Sequence, residues 1–164
     1  GSNMQEQLRE VRAVFENHLH ALEKQAGESA IRFENFTVRE NTIRAGWKDQ
    51  NTLKFRVRLE GNALMLEWYR RIWIRDESGK RDTQHTYIRK RNKSKGGNSY
   101  SYDLEDLFKY SPEWSRDMVV EVESEAATLR RQARYCSSIL VSLGRLERYL
   151  VQLDAGEVPV EDEG

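Results

Sequence analysis

At 164 residues, 38% apolar and 33% charged, with four Trp, seven Tyr and five Phe, the chain has ring and aliphatic surface for a core and too much of it for wholesale disorder. Its 27 basic and 27 acidic side chains cancel, which excludes a uniformly basic binder of polyanions but not one whose charge is segregated. Cys136 is the sole cysteine, so an internal disulfide and an intrachain cysteine zinc cluster are both excluded, and its expected role is that of a small packed apolar residue.

The first two residues, Gly1-Ser2, read as a cleavage remnant with or without Asn3, and Met4 is the expected natural start. No apolar run approaches the roughly 18 residues of a membrane span, and the N-terminus lacks the basic-then-apolar layout of a signal peptide, so a cytoplasmic protein with no membrane partner is expected. A single domain is expected over residues 4–153, followed by an acidic and disordered tail over 154–164 that holds five acids and no base.

In chain order, Gln5–Gln25 carries Leu8, Val11, Phe15, Leu19 and Leu22 on one stripe at spacings of three and four, which predicts an amphipathic helix closed by Gly27. Ala30–Trp47 has strand composition, with a change of phase between Phe33 and Phe36 that predicts a bulge or two short strands. Leu53–Glu60 alternates Leu53, Phe55, Val57 and Leu59 with Lys54, Arg56 and Arg58, the period of a strand. After the reversing pair Gly61-Asn62, Leu64–Arg75 puts Leu64, Leu66, Trp68, Ile72 and Ile74 on one side, broken by Arg70. Its other side presents Tyr69, Arg71, Trp73 and Arg75. A polar loop at Asp76–Lys80 leads to a third strand over Thr83–Arg91, with Thr83, His85, Tyr87, Arg89 and Arg91 extending the band of rings and guanidinium groups from an edge position.

Asn92–Ser101 is a basic, glycine-bearing loop, and the spacing of Leu104, Leu107 and Phe108 predicts a short helix within Asp103–Tyr110. Ser111-Pro112-Glu113 reads as the start of a long helix, with Ser111 as N-cap and Pro112 at the first position. Apolar or small residues then recur at 119, 122, 126, 129, 133, 136, 140 and 143, so the helix is expected to run to about Leu153. Such a helix is roughly 60 Å long, more than a compact domain of this length spans. The excess is to be covered by the N-terminal helix together with a second copy of the chain pairing along the stripe, or avoided by a kink near Gly144.

These elements define an α+β fold: an antiparallel β-meander with an N-terminal helix and a long C-terminal helix. Between Arg70 and Lys95 stand ten bases against three acids. Phosphates need fixed cations, and exposed bases stack on rings and guanidinium planes, so the leading expectation is nucleic-acid binding, to DNA rather than RNA. Arg71, Arg75, Arg89, Lys90, Arg91, Lys93 and Lys95 are the candidate phosphate contacts, and Tyr69, Trp73, Tyr87 and Tyr100 the candidate stacking platforms. The competing expectation is an ordinary solvated sheet face, or rings roofed by a helix as core. An alternative function is a protein-interaction module that clamps a helical partner through Val119–Leu143.

An enzyme is not expected. Gly96-Gly97 lacks the lysine and hydroxyl ending of a nucleotide phosphate loop, and His18 and His20, two residues apart, fall on different helix faces. Neither a cofactor nor a metal is implied, and no nucleophile–base pair can be named.

The meander, the Tyr87–Arg91 segment, the run Tyr102-Asp103-Leu104-Glu105-Asp106-Leu107 and the Glu/Arg-rich helix from Trp114 together resemble MobI-type auxiliary proteins of conjugative elements, over Leu64–Tyr135. The resemblance implies a bacterial cytoplasmic protein that helps to start DNA transfer at an origin beside a relaxase or other transfer protein, without cutting DNA itself.

Overall fold

A computed structural model describes residues 2–91 and 100–157. Helix α1 (Ser2–Thr42) leads through a 3-10 turn at Trp47–Asp49 into strands β1 (Leu53–Glu60), β2 (Ala63–Arg75) and β3 (Arg81–Tyr87). A short helix α2 (Leu104–Phe108) and a second 3-10 turn at Glu113–Ser115 precede helix α3 (Arg116–Asp154). The strands form one antiparallel sheet in the order β1-β2-β3, so the fold is the expected α+β meander with a helix at each end. Gly61 takes φ +57, the sign a two-residue hairpin needs at its first central position.

The strand prediction for Ala30–Trp47 and the helix end at Gly27 are overturned: α1 is continuous from Ser2 to Thr42. The stripe of Leu19 and Leu22 does not stop. It passes through Ala26, Ser29, Phe33 and Thr37, all buried and all at spacings of three or four. What read as a phase error in a strand is therefore the ordinary period of a helix. Gly27 lies off this stripe, with nothing within 4 Å of where its Cβ would stand.

Helices α1 and α3 are antiparallel and of nearly equal length, 41 and 39 residues. Gln5 reaches Asp154 at 3.3 Å, Arg12 pairs with Glu147, and Ser29 and Arg32 bond Glu125 at 2.6 and 2.9 Å. The excess length expected of α3 is thus covered within the chain. Every residue of its stripe from Val119 to Leu143 is buried. That seam, expected to serve a second copy or a helical partner, is already filled. Beyond the seam Glu147 meets the guanidinium of Arg12, and α3 runs unbroken through Gly144.

Two further corrections concern helix starts and strand ends. The hydroxyl of Ser111 donates back to Leu107 O at 2.8 Å rather than capping α3, which starts only at Arg116 after the 3-10 turn. Strand β3 ends at Tyr87, four residues short. The Ile88 N–H still donates to Trp68 O at 2.9 Å and its side chain is buried, and the chain then turns toward α2.

One buried cluster joins α1, the sheet, α2 and α3, with fully buried Trp68 at its centre. Phe33 meets that indole edge-on at 5.1 Å and Phe55 lies 4.9 Å from it. The Trp68 Nε1–H donates to Glu123 at 2.9 Å, Arg130 forks onto the same carboxylate at 2.8 and 2.9 Å, and the Tyr102 N–H donates to it at 2.7 Å. Arg130 also donates to the carbonyls of Leu66 at 3.0 Å and Tyr100 at 2.7 Å. A buried ion pair held at this many points fixes α3 to the back of β2, leaving the other sheet face to solvent.

Candidate nucleic-acid interface

Register decides which side chains share that outer face. Residues directly opposite in an antiparallel pair point the same way. Lys54 faces Tyr69, which faces Tyr87; Arg56 faces Glu67; Arg71 faces His85; Trp73 faces Thr83; and Arg75 faces Arg81. No described residue of this face is buried, and α1 approaches it only at one corner, beside Lys54, Arg71, Thr83 and His85.

The face holds six cations, Lys54, Arg56, Arg58, Arg71, Arg75 and Arg81, against two carboxylates, Glu60 and Glu67. Both carboxylates pair with Arg58, leaving five cations for a ligand. Arg75 and Arg81 stand opposite one another, an arrangement that destabilises an isolated strand pair and that an anion between them relieves. His85 reports the same field: its imidazole is held below the ordinary histidine range, first by burial and then by repulsion from Lys54, Arg56 and Arg71.

Rings alternate with these charges. The guanidinium of Arg56 lies 4.3 Å from the Tyr69 ring centre, and Tyr69 meets Tyr87 edge-on at 5.6 Å. Trp73 is 55% exposed, with Arg81 at 4.4 Å and Arg71 at 5.7 Å from its ring, and Tyr87 is 46% exposed. Guanidinium groups stacked on rings are held in place before a ligand arrives, which lowers the ordering entropy of binding.

Of the residues nominated from sequence, Tyr69, Arg71, Trp73, Arg75 and Tyr87 are brought together here. The others are not. Arg91 lies beyond the end of β3 and donates to Asp106 at 2.7 Å and to Asp103 at 3.1 Å, so two carboxylates neutralise it. Hydrogen bonding to Asp106 raises its guanidinium further. Arg89 is exposed past the strand end, on a cleft shared with Arg70, Lys109 and Tyr110. Lys90 and Tyr100 line a different depression, against Arg130, Ala133 and Arg134 of α3, and Arg131 stacks on the Tyr100 ring at 5.2 Å. Burial, followed by repulsion from Arg130, holds the Lys90 ammonium below its ordinary value. Lys93 and Lys95 lie outside the described residues, as do residues 158–164 of the acidic tail.

Lys54, Arg56 and His85, placed by alternation on the polar sides of their strands but not among the candidate contacts, join the face, and so does Arg81, which the expected third strand left out. The signal was present: a two-residue turn at Gly61-Asn62 fixes the β1 register and sets Lys54 against Tyr69.

Two comparisons return nothing: no curated protein and no solved structure matches the chain. The family model described as MobI protein matches residues 22–144, well over half of the chain, from the middle of α1 to near the end of the α3 seam.

Proposed function

The chain belongs to the MobI family, accessory proteins of conjugative mobilisation, and from that premise we propose that it binds DNA on the open face of its sheet, as a non-enzymatic cytoplasmic partner of the transfer machinery. The observation that carries the reading is the face itself: five cations that meet no carboxylate among the described residues alternate with exposed, guanidinium-flanked rings on a side that α1 approaches only at one corner. Cations of this kind hold the sugar–phosphate chain, and the rings offer platforms to unstacked bases, which favours a single strand over a closed duplex.

Fluorescence anisotropy with single-stranded and duplex DNA tests this. Five phosphate contacts predict that affinity falls by roughly two to three decades between 50 and 200 mM salt. Reversing Arg75→Glu with Arg81→Glu should lower the salt slope by about two. A flat salt profile, or binding that the double reversal leaves intact, removes the open face from the mechanism.

A specific observation also favours a docking role for α3, on a different side from the filled seam. Tyr135, Ile139, Leu146, Tyr149 and Leu153 are exposed at helical spacing; Tyr135 and Ile139 stand one position before the seam residues Cys136 and Leu140, and Leu146 one before Glu147, which pairs with Arg12. Met4, Val11 and Val14 of α1 are exposed too, and Val11 and Val14 likewise stand one position before Arg12 and Phe15. In an antiparallel helix pair, equal offsets fall on the same side, so the two sets form one apolar stripe. Its proposed occupant is an amphipathic helix of another transfer protein, a relaxase included.

A further inference from the structure

Where α1 passes the edge of β1, a cavity of about 220 Å³ opens between Phe33 and Thr37 of the helix and Lys54, Arg71, Thr83 and His85 of the sheet. It is too small for the roughly 300–1,000 Å³ that drug-sized ligands occupy. Its chemistry is one-sided: a guanidinium, an ammonium and an imidazole, with only Glu34 as a carboxylate among the lining residues. The Nε of Arg71 is buried without a hydrogen-bond partner, the sole buried side-chain nitrogen or oxygen so placed among the described residues. Such a donor has given up its hydrogen bonds to water with nothing in return, so a fold rarely keeps one without a use for it.

We infer that this cavity is a seat for one phosphate group, a discrete tetrahedral oxyanion that accepts from Arg71 and lies against Lys54, with His85 in its wall. The Arg71 fork is suited to two oxygens of such an anion, and Lys54 supplies a second point charge from the neighbouring strand. His85 then changes role. Unliganded, it faces Lys54 and Arg56 from β1 and Arg71 from β2, with Glu34 of α1 as the one carboxylate lining the cavity, and its imidazolium is disfavoured. A bound phosphate offsets this positive charge, by two for a free or terminal phosphate and by one for a diester, and so favours the imidazolium; binding and protonation are linked. The seat adjoins the open face through Arg71, and the inference rests on the nucleic-acid reading only for the source of the phosphate. That source is a backbone diester, a terminal monoester or free phosphate.

The test uses the full chain and inorganic phosphate. The His85 ring is titrated by two-dimensional NMR between pH 5 and 8, with phosphate or with chloride at matched ionic strength. Phosphate should raise the His85 midpoint. Arg71→Leu should abolish that rise and weaken phosphate binding about tenfold, with Arg71→Lys between the two. Lys54→Met serves as the second variant if Arg71→Leu fails to fold by circular dichroism. An unchanged His85 curve in the wild type overturns the seat. Oligonucleotides with and without a 5′-phosphate then separate the sources. A gain from the terminal phosphate that Arg71→Leu removes assigns a monoester, whereas equal affinities with a salt slope lowered by about one in Arg71→Leu assign the backbone. DNA binding that persists in wild type and Arg71→Leu alike, with no response to phosphate, overturns the seat and leaves the open face standing. A phosphate response without any DNA binding does the reverse.

Discussion

Arg91 and Arg75 have the same side chain and opposite circumstances. Arg91 is locked to Asp106 and Asp103, whereas Arg75 faces Arg81 across β2 and β3, and among the described residues neither of that pair meets a carboxylate. Replacing Arg91 with Ala should therefore lower the thermal midpoint while leaving DNA affinity and its salt slope unchanged, a separation that anisotropy and thermal melting on one sample would reveal. His85 carries a prediction of opposite origin. Its folded ionisation lies below the ordinary histidine value, so around that value the native state binds fewer protons than the unfolded chain. Stability is thus greatest above the ordinary value and declines as pH falls from there through the folded one. His85→Gln should flatten this part of the profile between pH 7.5 and 5.5 in thermal melts. A phosphate-bearing ligand acts against the decline, because it favours the imidazolium.

Among the elements, α1 shows how a helix can hide from local reading. Ile31, Phe33, Phe36, Val38 and Ile43 have strand composition, yet the faces they occupy are set by α3, whose stripe needs a partner of equal length. Packing overrides propensity here. Gly27 was offered as a stop and is instead a weak point in mid-helix, so Gly27→Ala should stabilise the protein by about 1 kcal/mol in urea titration, the added Cβ meeting nothing. The join between α3 and β2 responds in the other direction. Arg130→Ala leaves Glu123 buried without its cation and should cost about 3–5 kcal/mol by the same measurement. That loss would loosen the whole sheet, since Trp68, Tyr102 and Leu66 are held through the same two side chains.

On the scale of the molecule, Ser137 of α3 donates to Asn62 O of the β1–β2 turn, and beyond it the tertiary side-chain bonds of α3 among the described residues run to α1, through Arg12–Glu147 and Gln5–Asp154. That two-helix arm carries the exposed stripe of Tyr135 to Leu153, spatially apart from the cationic face. Leu146→Glu with Tyr149→Glu should abolish capture of a purified relaxase while sparing DNA affinity. Sedimentation of the wild type separates a second copy as the competing occupant, since self-association lost in the same variant would assign the stripe to a dimer. Strand alternation and the Gly61-Asn62 turn were legible from residues alone, because side-chain direction in a strand follows from covalent geometry and register from turn length. They determined the meander, its greasy and cationic sides, and the grouping of Tyr69, Arg71, Trp73, Arg75 and Tyr87. Only tertiary structure decided that α1 is continuous, that the α3 seam is filled from within, and that Arg91 belongs to Asp103 and Asp106 while Arg81 belongs to the open face. Those outcomes depend on which distant surfaces and charges meet, and burial and Coulomb energy act between neighbours in space, whatever their separation along the chain.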